Sequence, residues 1–283
     1  MKVLMCPPTN FDVLVENSAN PWMKKGQRPD KTLAMGQWQE LKKFYETWGL
    51  EVHFLDPQEG LFDQVFTANL AWGRGRIMVI ANLNPEWRKP ETVSVAQWFL
   101  KNDYERRFLP EHLKFEGQGD VISLGDGYFL YCYGIRNDLE VAGILEEILL
   151  LRGRIIPLKL VDSRFYHGDV CIRYSKHRRA LLYNPSAFDA ESLRKLEQLP
   201  IPVQLMEAPL DLWVQETEQG RNFPMNGCYV GRAETFPWDR TLGEFPEKVR
   251  EWIEKDGGIV RLHNFDQFGL SGAGHRCCSL FLD

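Results

Sequence analysis

DLEVAGILEEILLLRGRIIPLKL, residues 138–160, joins a helical pattern to a strand-like run without a linker between them. Its first part spaces apolar residues at helical intervals and ends at a glycine, which is a common helix stop. RIIPLKL then has the length and composition of a short strand. The stretch therefore predicts a helix that leads directly into a strand.

The same order recurs along the chain. Helical patterns begin near residues 31, 91, 138, 189 and 244, and strand-like runs follow them as EVHFLD, RIIPLKL, IPVQLME and GIVRLHN, with RFLPEHLKFEG as a weaker fifth. Hairpin-like segments such as DVISLGDGYFLYCYG lie between these units. Repeats of about 50 residues are typical of propeller-like or arrayed folds. We expect an α/β fold of five such repeats in one domain, residues 1–283; a generic α/β sandwich is the alternative.

Composition narrows the class of partner. The formal net charge is −5 and no long basic block is present, which disfavours nucleic acid and anionic membranes. The first residues reach a double proline too early for a signal sequence, and no stretch has the length of a membrane span, so we expect a cytoplasmic protein. A small molecule or another protein is the expected partner, and homo-oligomerisation stays open.

Six cysteines are scattered through the chain without a CxxC pair, so we interpret them as reduced thiols. Cys277 is distinctive because it follows the small residues of SGAG, where backbone N–H groups can approach a thiolate or a ligand. If CCSLFLD is a strand, alternation places Cys278 on an apolar face and Cys277 on the other. Cys277 is therefore the candidate nucleophile, although a buried structural cysteine is the commoner case.

A nucleophilic thiol needs a histidine to move protons and a carboxylate to orient that histidine. His167 has Asp169 two residues later, and on a strand both would share one face. Glu116 precedes closely spaced glycines that allow a sharp turn. Inward carboxylates near a thiol suit a guanidinium, which carboxylates bind in a bidentate manner. Pairing of these acids with nearby arginines such as Arg136 is the structural alternative.

The motifs CPPTNFDV with ANPWM, DQVFTAN, FEGQGD, RFYHGDVC and GHRCCS, in this order, resemble the guanidine-modifying enzyme superfamily, or penteins. The resemblance covers essentially the whole chain and implies a five-bladed pseudo-symmetric α/β propeller. The superfamily includes arginine deiminases, dimethylarginine dimethylaminohydrolases, amidinotransferases and arginine dihydrolases. GAGHRC, YHGDVC and ANLNPEWRKPET depart from the usual dihydrolase-like pattern, which affects substrate identity more than the chemistry.

The resemblance also implies roles for individual residues. Cys277 matches the nucleophile and His167 the acid/base, while Glu116 and Asp169 match the carboxylates that hold the guanidinium. The remaining matches are Arg136 for a substrate α-carboxylate, Asn20 in the pocket wall, and Asn69 at a position that is acidic in deiminases. An asparagine there can hydrogen-bond arginine or neutral citrulline, which favours a second hydrolysis to ornithine.

The predicted activity is therefore a cysteine-dependent hydrolase of L-arginine or a derivative such as a methylarginine, acting through a covalent thiouronium-like adduct without a metal or organic cofactor. Two alternatives remain open: an amidinotransferase, in which an amine resolves the adduct, and a non-catalytic arginine-binding protein. A zinc site of His167, Asp169 and Cys171 is a further alternative, although it lacks the paired ligands of typical structural zinc sites.

Overall fold

A computed structural model describes residues 1–176, 178–208, 214–230, 240–242, 247–254, 259–261 and 263–282. The helices are α1 (Lys31–Thr47), α2 (Glu91–Lys101), α3 (Glu140–Ile148), α4 (Ala190–Glu197), α5 (Glu247–Glu254) and the short α6 (Asp266–Gly269). The first five match the five predicted helices. None of the helices within these ranges combines the length and apolar character needed to cross a bilayer.

The strands are short and follow the repeat. They are β1 (Lys2–Met5), β2 (Glu51–Phe54), β3 (Ala71–Arg74), β4 (Ile77–Ile80), β5 (Glu105–Arg107), β6 (Val121–Gly125), β7 (Tyr128–Tyr133), β8 (Ile155–Lys159), β9 (Ile172–Ser175), β10 (Ala180–Tyr183), β11 (Gln204–Glu207), β12 (Gln215–Glu216), β13 (Arg221–Asn222), β14 (Cys228–Val230), β15 (Arg240–Leu242), β16 (Ile259–Arg261) and β17 (Leu280–Leu282).

Five sheets of the described chain share one topology. Their strand orders are β17-β1-β2, β3-β4-β5, β6-β7-β8, β9-β10-β11 and β14-β15-β16. In each, the central strand pairs antiparallel with one neighbour and parallel with the strand that follows the helix. This arrangement confirms the predicted order of hairpin, helix and strand. The two chain ends meet in one sheet, where Val3 of β1 lies opposite Phe281 of β17.

Helix α1 shows how the sequence pattern produces the packing. Asp30 caps its N-terminus by accepting hydrogen bonds from the backbone N–H groups of Thr32 and Leu33. Its buried residues recur at helical spacing and face the sheet that contains both chain ends: Ala34, Trp38, Leu41 and Tyr45. Three other large core clusters each join residues of two neighbouring sheets and an adjoining helix.

Two local predictions are wrong. The strand after α2 is β5, Glu105–Arg107, rather than the run RFLPEHLKFEG, whose residues 108–116 are mostly irregular. The final strand begins at Leu280, so Cys277 and Cys278 lie in a turn and are not separated onto two strand faces. Both cysteines are buried and belong to the core cluster that contains the buried face of α1.

Candidate active site

His167 lies buried immediately before the 3₁₀ turn Gly168–Val170, and its partner is Asp120. Its Nδ1 atom donates to Asp120 Oδ2 at 2.5 Å, while Asp120 Oδ1 accepts the backbone N–H of Gly168 at 2.7 Å. Burial alone would lower the pKa of His167, but Asp120 and Glu116 raise it to about 9. The ring is therefore held in one orientation and protonated near neutral pH.

The carboxylate that orients His167 is Asp120, not Asp169 as the sequence suggested. The prediction that His167 and Asp169 share one face of a strand is wrong, because the segment is a loop that enters a 3₁₀ turn before β9 begins at Ile172. Asp120 ends the 3₁₀ turn Gly117–Asp120, whose first glycine has φ +66°. A Cβ on Gly117 would lie 2.7 Å from the carbonyl oxygen of Ala68, so glycine allows this close approach.

Glu116 and Arg136 form a buried ion pair beside the histidine. Arg136 Nη1 donates to Glu116 Oε2 at 2.8 Å and to Oε1 at 3.1 Å, and His167 Nε2 lies 3.3 Å from Oε2. Burial would raise the pKa of Glu116, but Arg136 and His167 hold it well below its usual range. The pairing of an acid with Arg136, which the sequence left as the structural alternative, is thus present.

Cys277 is 3% exposed and lies next to Asp169. Its Sγ atom is 3.9 Å from Asp169 Oδ2, and the other carboxylate oxygen, Oδ1, has no hydrogen-bond partner within the described part of the chain. Burial and then Asp169 raise the pKa of the Cys277 thiol well above its ordinary value. Burial likewise raises the pKa of Asp169 to about 6. A cation between these two groups would relieve both effects.

Asn69 lies between His167 and a second buried arginine, Arg88, which the sequence analysis did not identify. Its Oδ1 atom accepts from Arg88 Nη1 at 3.0 Å, and its Nδ2 atom lies 3.4 Å from His167 Nε2. Arg88 is held in turn by Glu91, with Nη2 and Oε2 2.8 Å apart. Arg88 belongs to the stretch ANLNPEWRKPET, which departs from the usual pattern, so spacing alone gave no signal for it.

One pocket collects most of these groups. Its volume is about 360 Å³, which includes space open to solvent. Among its lining residues are Asn20, Asn69, Arg136, His167 and Cys277. Glu116 and Asp169 contact this set, so the structure brings all seven predicted residues together.

Asn20 and Tyr166 brace the glycine turn that precedes Cys277. Asn20 Nδ2 donates to the carbonyl oxygen of Ser271 at 2.9 Å, and Tyr166 Oη donates to that of Gly272 at 2.7 Å. Gly272 has φ +77°, and a Cβ there would lie within 3.0 Å of both side chains. Asn20 therefore lines the pocket and also holds the glycine turn in place through its bond to Ser271.

The zinc alternative finds no support in the geometry. Cys171 Sγ contacts the backbone carbonyl oxygens of His167 and Gly168, at 3.6 and 3.5 Å. Across the described ranges, no group of three potential ligands is positioned to hold a metal ion. Five of the six cysteines are free thiols, and the side chain of the sixth, Cys228, is not among those that the structure describes.

The sequence of the chain is similar to those of several known proteins. The chain is 32% identical over 283 residues to the bifunctional arginine dihydrolase/ornithine cyclodeaminase ArgZ of Synechocystis sp., covering 99% of this chain and 37% of ArgZ. It is 32% identical over 195 residues to a dimethylarginine dimethylaminohydrolase of Mycobacterium tuberculosis, covering 69% of this chain and 62% of that protein. The chain belongs to the guanidine-modifying enzyme superfamily.

A solved structure agrees with this membership. The N-terminal domain of ArgZ, in a cysteine-to-serine variant bound to substrate, superposes with a TM-score of 0.85 at 28% identity, covering 99% of this chain and 97% of that one. The guanidine-modifying α/β fold is thus shared, whereas no protein-family model matches the chain. The present chain covers only 28% and 37% of the lengths of two bifunctional cyanobacterial relatives, of which ArgZ is the second.

Proposed function

We propose that the protein is a cysteine-dependent hydrolase of the guanidino group of L-arginine or a close derivative. The observation that carries the proposal is the shared pocket of Cys277 and a His167 ring oriented by Asp120. Nucleophilic catalysis needs this set of thiol, proton carrier and orienting carboxylate. The pocket supplies it without requiring a metal or organic cofactor.

Charge around the pocket favours a cationic substrate. Asp63 lines the pocket together with Arg88, Arg136 and His167. Four further buried carboxyl groups contact its lining residues: Glu91 pairs with Arg88, Glu116 with Arg136 and Asp120 with His167, while Asp169 lies beside Cys277. Carboxyl groups in this buried set therefore outnumber the cationic side chains. Asp63 Oδ1 and Asp169 Oδ1 lack hydrogen-bond partners in the described structure. Since an unpaired buried carboxylate is costly, a guanidinium that enters and pairs with them gains binding energy.

The reaction would begin as the cationic substrate enters and lowers the pKa of Cys277, so that the thiol loses its proton to solvent. The thiolate attacks the guanidinium carbon and forms a C–S bond. Protonated His167 then donates its proton to the departing ammonia as the C–N bond breaks, leaving a thiouronium-like adduct. Neutral His167 next accepts a proton from water, whose oxygen attacks the same carbon and displaces the thiolate. The product is citrulline.

Asn69 supports a second cycle. Its side chain is neutral, with Nδ2 3.4 Å from His167 Nε2 and Oδ1 bound to Arg88, so this position does not require a positively charged substrate. A second hydrolysis of citrulline, with loss of ammonia and carbon dioxide, would yield ornithine. The relatives support this assignment: ArgZ is described as an arginine dihydrolase, and a variant of its N-terminal domain is covalently bound to a reaction intermediate.

We also infer that the five sheets are the blades of a five-bladed pseudo-symmetric α/β propeller, and that residues 1–283 form a single domain. The shared topology of the sheets and the pairing of β1 with β17 support this architecture. Loops at one end of such a scaffold would converge on the axis, where Cys277, His167 and Glu116 are expected.

The deciding experiment is to incubate the purified protein with L-arginine and measure ammonia, citrulline and ornithine together. Ornithine with two ammonia per arginine supports the dihydrolase, and citrulline alone indicates a deiminase. Cys277→Ser should abolish all products, whereas Cys6→Ser, at a buried cysteine that does not line the pocket, should not. Turnover that survives in Cys277→Ser would refute the mechanism. A methylarginine assayed in parallel tests the activity named for the M. tuberculosis relative.

A further inference from the structure

Asn226 is a buried residue that fixes the turn carrying Cys277. Its Oδ1 atom accepts two hydrogen bonds, from the backbone N–H groups of Gly274 at 3.1 Å and Cys277 at 3.2 Å. Its backbone carbonyl oxygen accepts a third, from the N–H of Arg276 at 2.9 Å. The turn from Gly274 to Cys277 is therefore anchored at three points by one residue.

The same side chain also reaches the segment that carries His167 and Asp169. Asn226 Nδ2 donates to the backbone carbonyl oxygen of Asp169 at 3.2 Å. Gly274 permits this packing, because a Cβ at that position would lie 2.9 Å from both Cβ and Oδ1 of Asn226. One carboxamide thus bridges the segment of the nucleophile and the segment of the acid.

We propose that Asn226 is a positioning residue that sets the reactivity of Cys277 by holding it in register with Asp169 through a neutral amide. The proposal rests on the proposed function, in which Cys277 is the nucleophile. A carboxamide can accept from two N–H groups through its oxygen while its NH₂ group donates to a carbonyl, and it carries no charge. An aspartate would keep the acceptor but lose the donor and add a second carboxylate beside the thiol.

The electrostatics of the thiol agree with this geometry. Hydrogen bonds from Asn226 and from the N–H of Gly274 lower the pKa of Cys277, opposing the upward effects of burial and Asp169. Asn226 lowers the pKa of Asp169 as well. Stabilising both anionic forms is what a neutral donor between two acids is expected to do.

Asn226→Asp tests the proposal through alkylation of Cys277 by iodoacetamide between pH 6 and 11, with Cys277→Ser as the background. We expect the pH midpoint of alkylation to rise by about one unit, because a like charge beside the thiol disfavours the thiolate. For arginine turnover, kcat should fall about tenfold with KM nearly unchanged, since one pKa unit corresponds to a tenfold change in thiolate fraction. A merely structural role would not move the midpoint.

Asn222→Asp is the matched control, because Asn222 is also a buried asparagine that uses both amide atoms, but its hydrogen bonds go to residues 264 and 265 rather than to the 274–277 turn. Its Oδ1 atom accepts from the N–H of Phe265 at 2.8 Å, and its Nδ2 atom donates to Asn264 Oδ1 at 2.8 Å. Its alkylation midpoint should match that of the wild type. An equal shift in Asn222→Asp and Asn226→Asp would overturn the proposal.

Gly274→Ala keeps the test decisive if Asn226→Asp does not fold, as thermal melting would show. The added methyl displaces the Asn226 side chain without changing its chemistry, so the midpoint should again rise. A wild-type midpoint in Gly274→Ala and in any folded Asn226→Asp would refute the role of Asn226. If Cys277 of the wild type is not alkylated above background and no turnover is found, the proposed function fails instead, so the two failures are distinguishable.

Discussion

His167 Nδ1 and Asp120 Oδ2 are 2.5 Å apart in a buried pair, and no pattern in the sequence links the two residues, which are 47 positions apart. The second oxygen of Asp120 binds the backbone N–H of Gly168, so the carboxylate fixes both the ring and the start of the turn that follows it. Nε2 is left to face Glu116 and Asn69. The nitrogen that would exchange protons with substrate is therefore determined by Asp120.

Asp120→Asn should lower kcat for arginine by about 10²- to 10⁴-fold, because the amide cannot hold the same tautomer or stabilise the charged ring. Steady-state kinetics with thermal melting will separate this effect from unfolding. Asp126→Asn is the control, since Asp126 is exposed, pairs with Arg179 and lies outside the pocket. A folded Asp120→Asn variant with wild-type kcat would show that His167 is oriented by other groups.

The repeat was predictable because each helix and its following strand carry their own local pattern. Helical spacing located α1 to α5, and short apolar runs located β2, β8, β11 and β16. Glycine-rich turns also pointed to Glu116 and Cys277, since few residues other than glycine permit such close backbone approach.

Features that depend on contacts between distant segments could not be predicted in this way. Asp120, Arg88 and Asn226 act through partners that are remote in sequence, so no local spacing identifies them. Alternation along CCSLFLD failed for a related reason. The backbone N–H groups of Arg276 and Cys277 donate to Asn226 within a turn rather than to a neighbouring strand, although the composition of residues 275–278 is compatible with a strand.

The pKa of His167 predicts how stability changes with pH. In the folded protein it is raised to about 9 from an ordinary value of 6.5, so folding favours the protonated ring. This contribution is fully present below pH 6.5 and is lost as pH rises through 9, and a shift of this size corresponds to about 3 kcal/mol. Denaturant unfolding at pH 6, 8 and 10 should show that decline in the wild type.

His167→Gln should flatten the decline in stability between pH 7 and 10, whatever its absolute stability, because the titrating group is absent. His112→Gln, at an exposed position, should retain it. Identical slopes in all three proteins would mean that His167 is not protonated preferentially in the folded state.

Asn69→Asp should separate the two proposed hydrolysis steps. A carboxylate at this position favours a cationic guanidinium and disfavours a neutral ureido group, so citrulline should accumulate and ornithine formation should fall about tenfold or more. The measurement is the ratio of ornithine to citrulline from arginine, together with the rate from citrulline itself. Asn102→Asp, at the exposed end of α2, controls for the added charge. Unchanged ornithine formation in Asn69→Asp would assign the second step to other residues.

Asp169→Asn should change thiol reactivity and turnover in opposite directions. The Asp169 carboxylate is 3.9 Å from Cys277 Sγ and raises the thiol pKa, so its removal should speed iodoacetamide alkylation of the substrate-free protein at pH 8 by about tenfold. Arginine turnover should fall about 10- to 100-fold, because a charge-assisted contact to the guanidinium is lost. Asp126→Asn should alter neither rate. If both rates fell together in a folded Asp169→Asn variant, the carboxylate would be holding the cysteine in place rather than opposing its ionisation until a cation arrives.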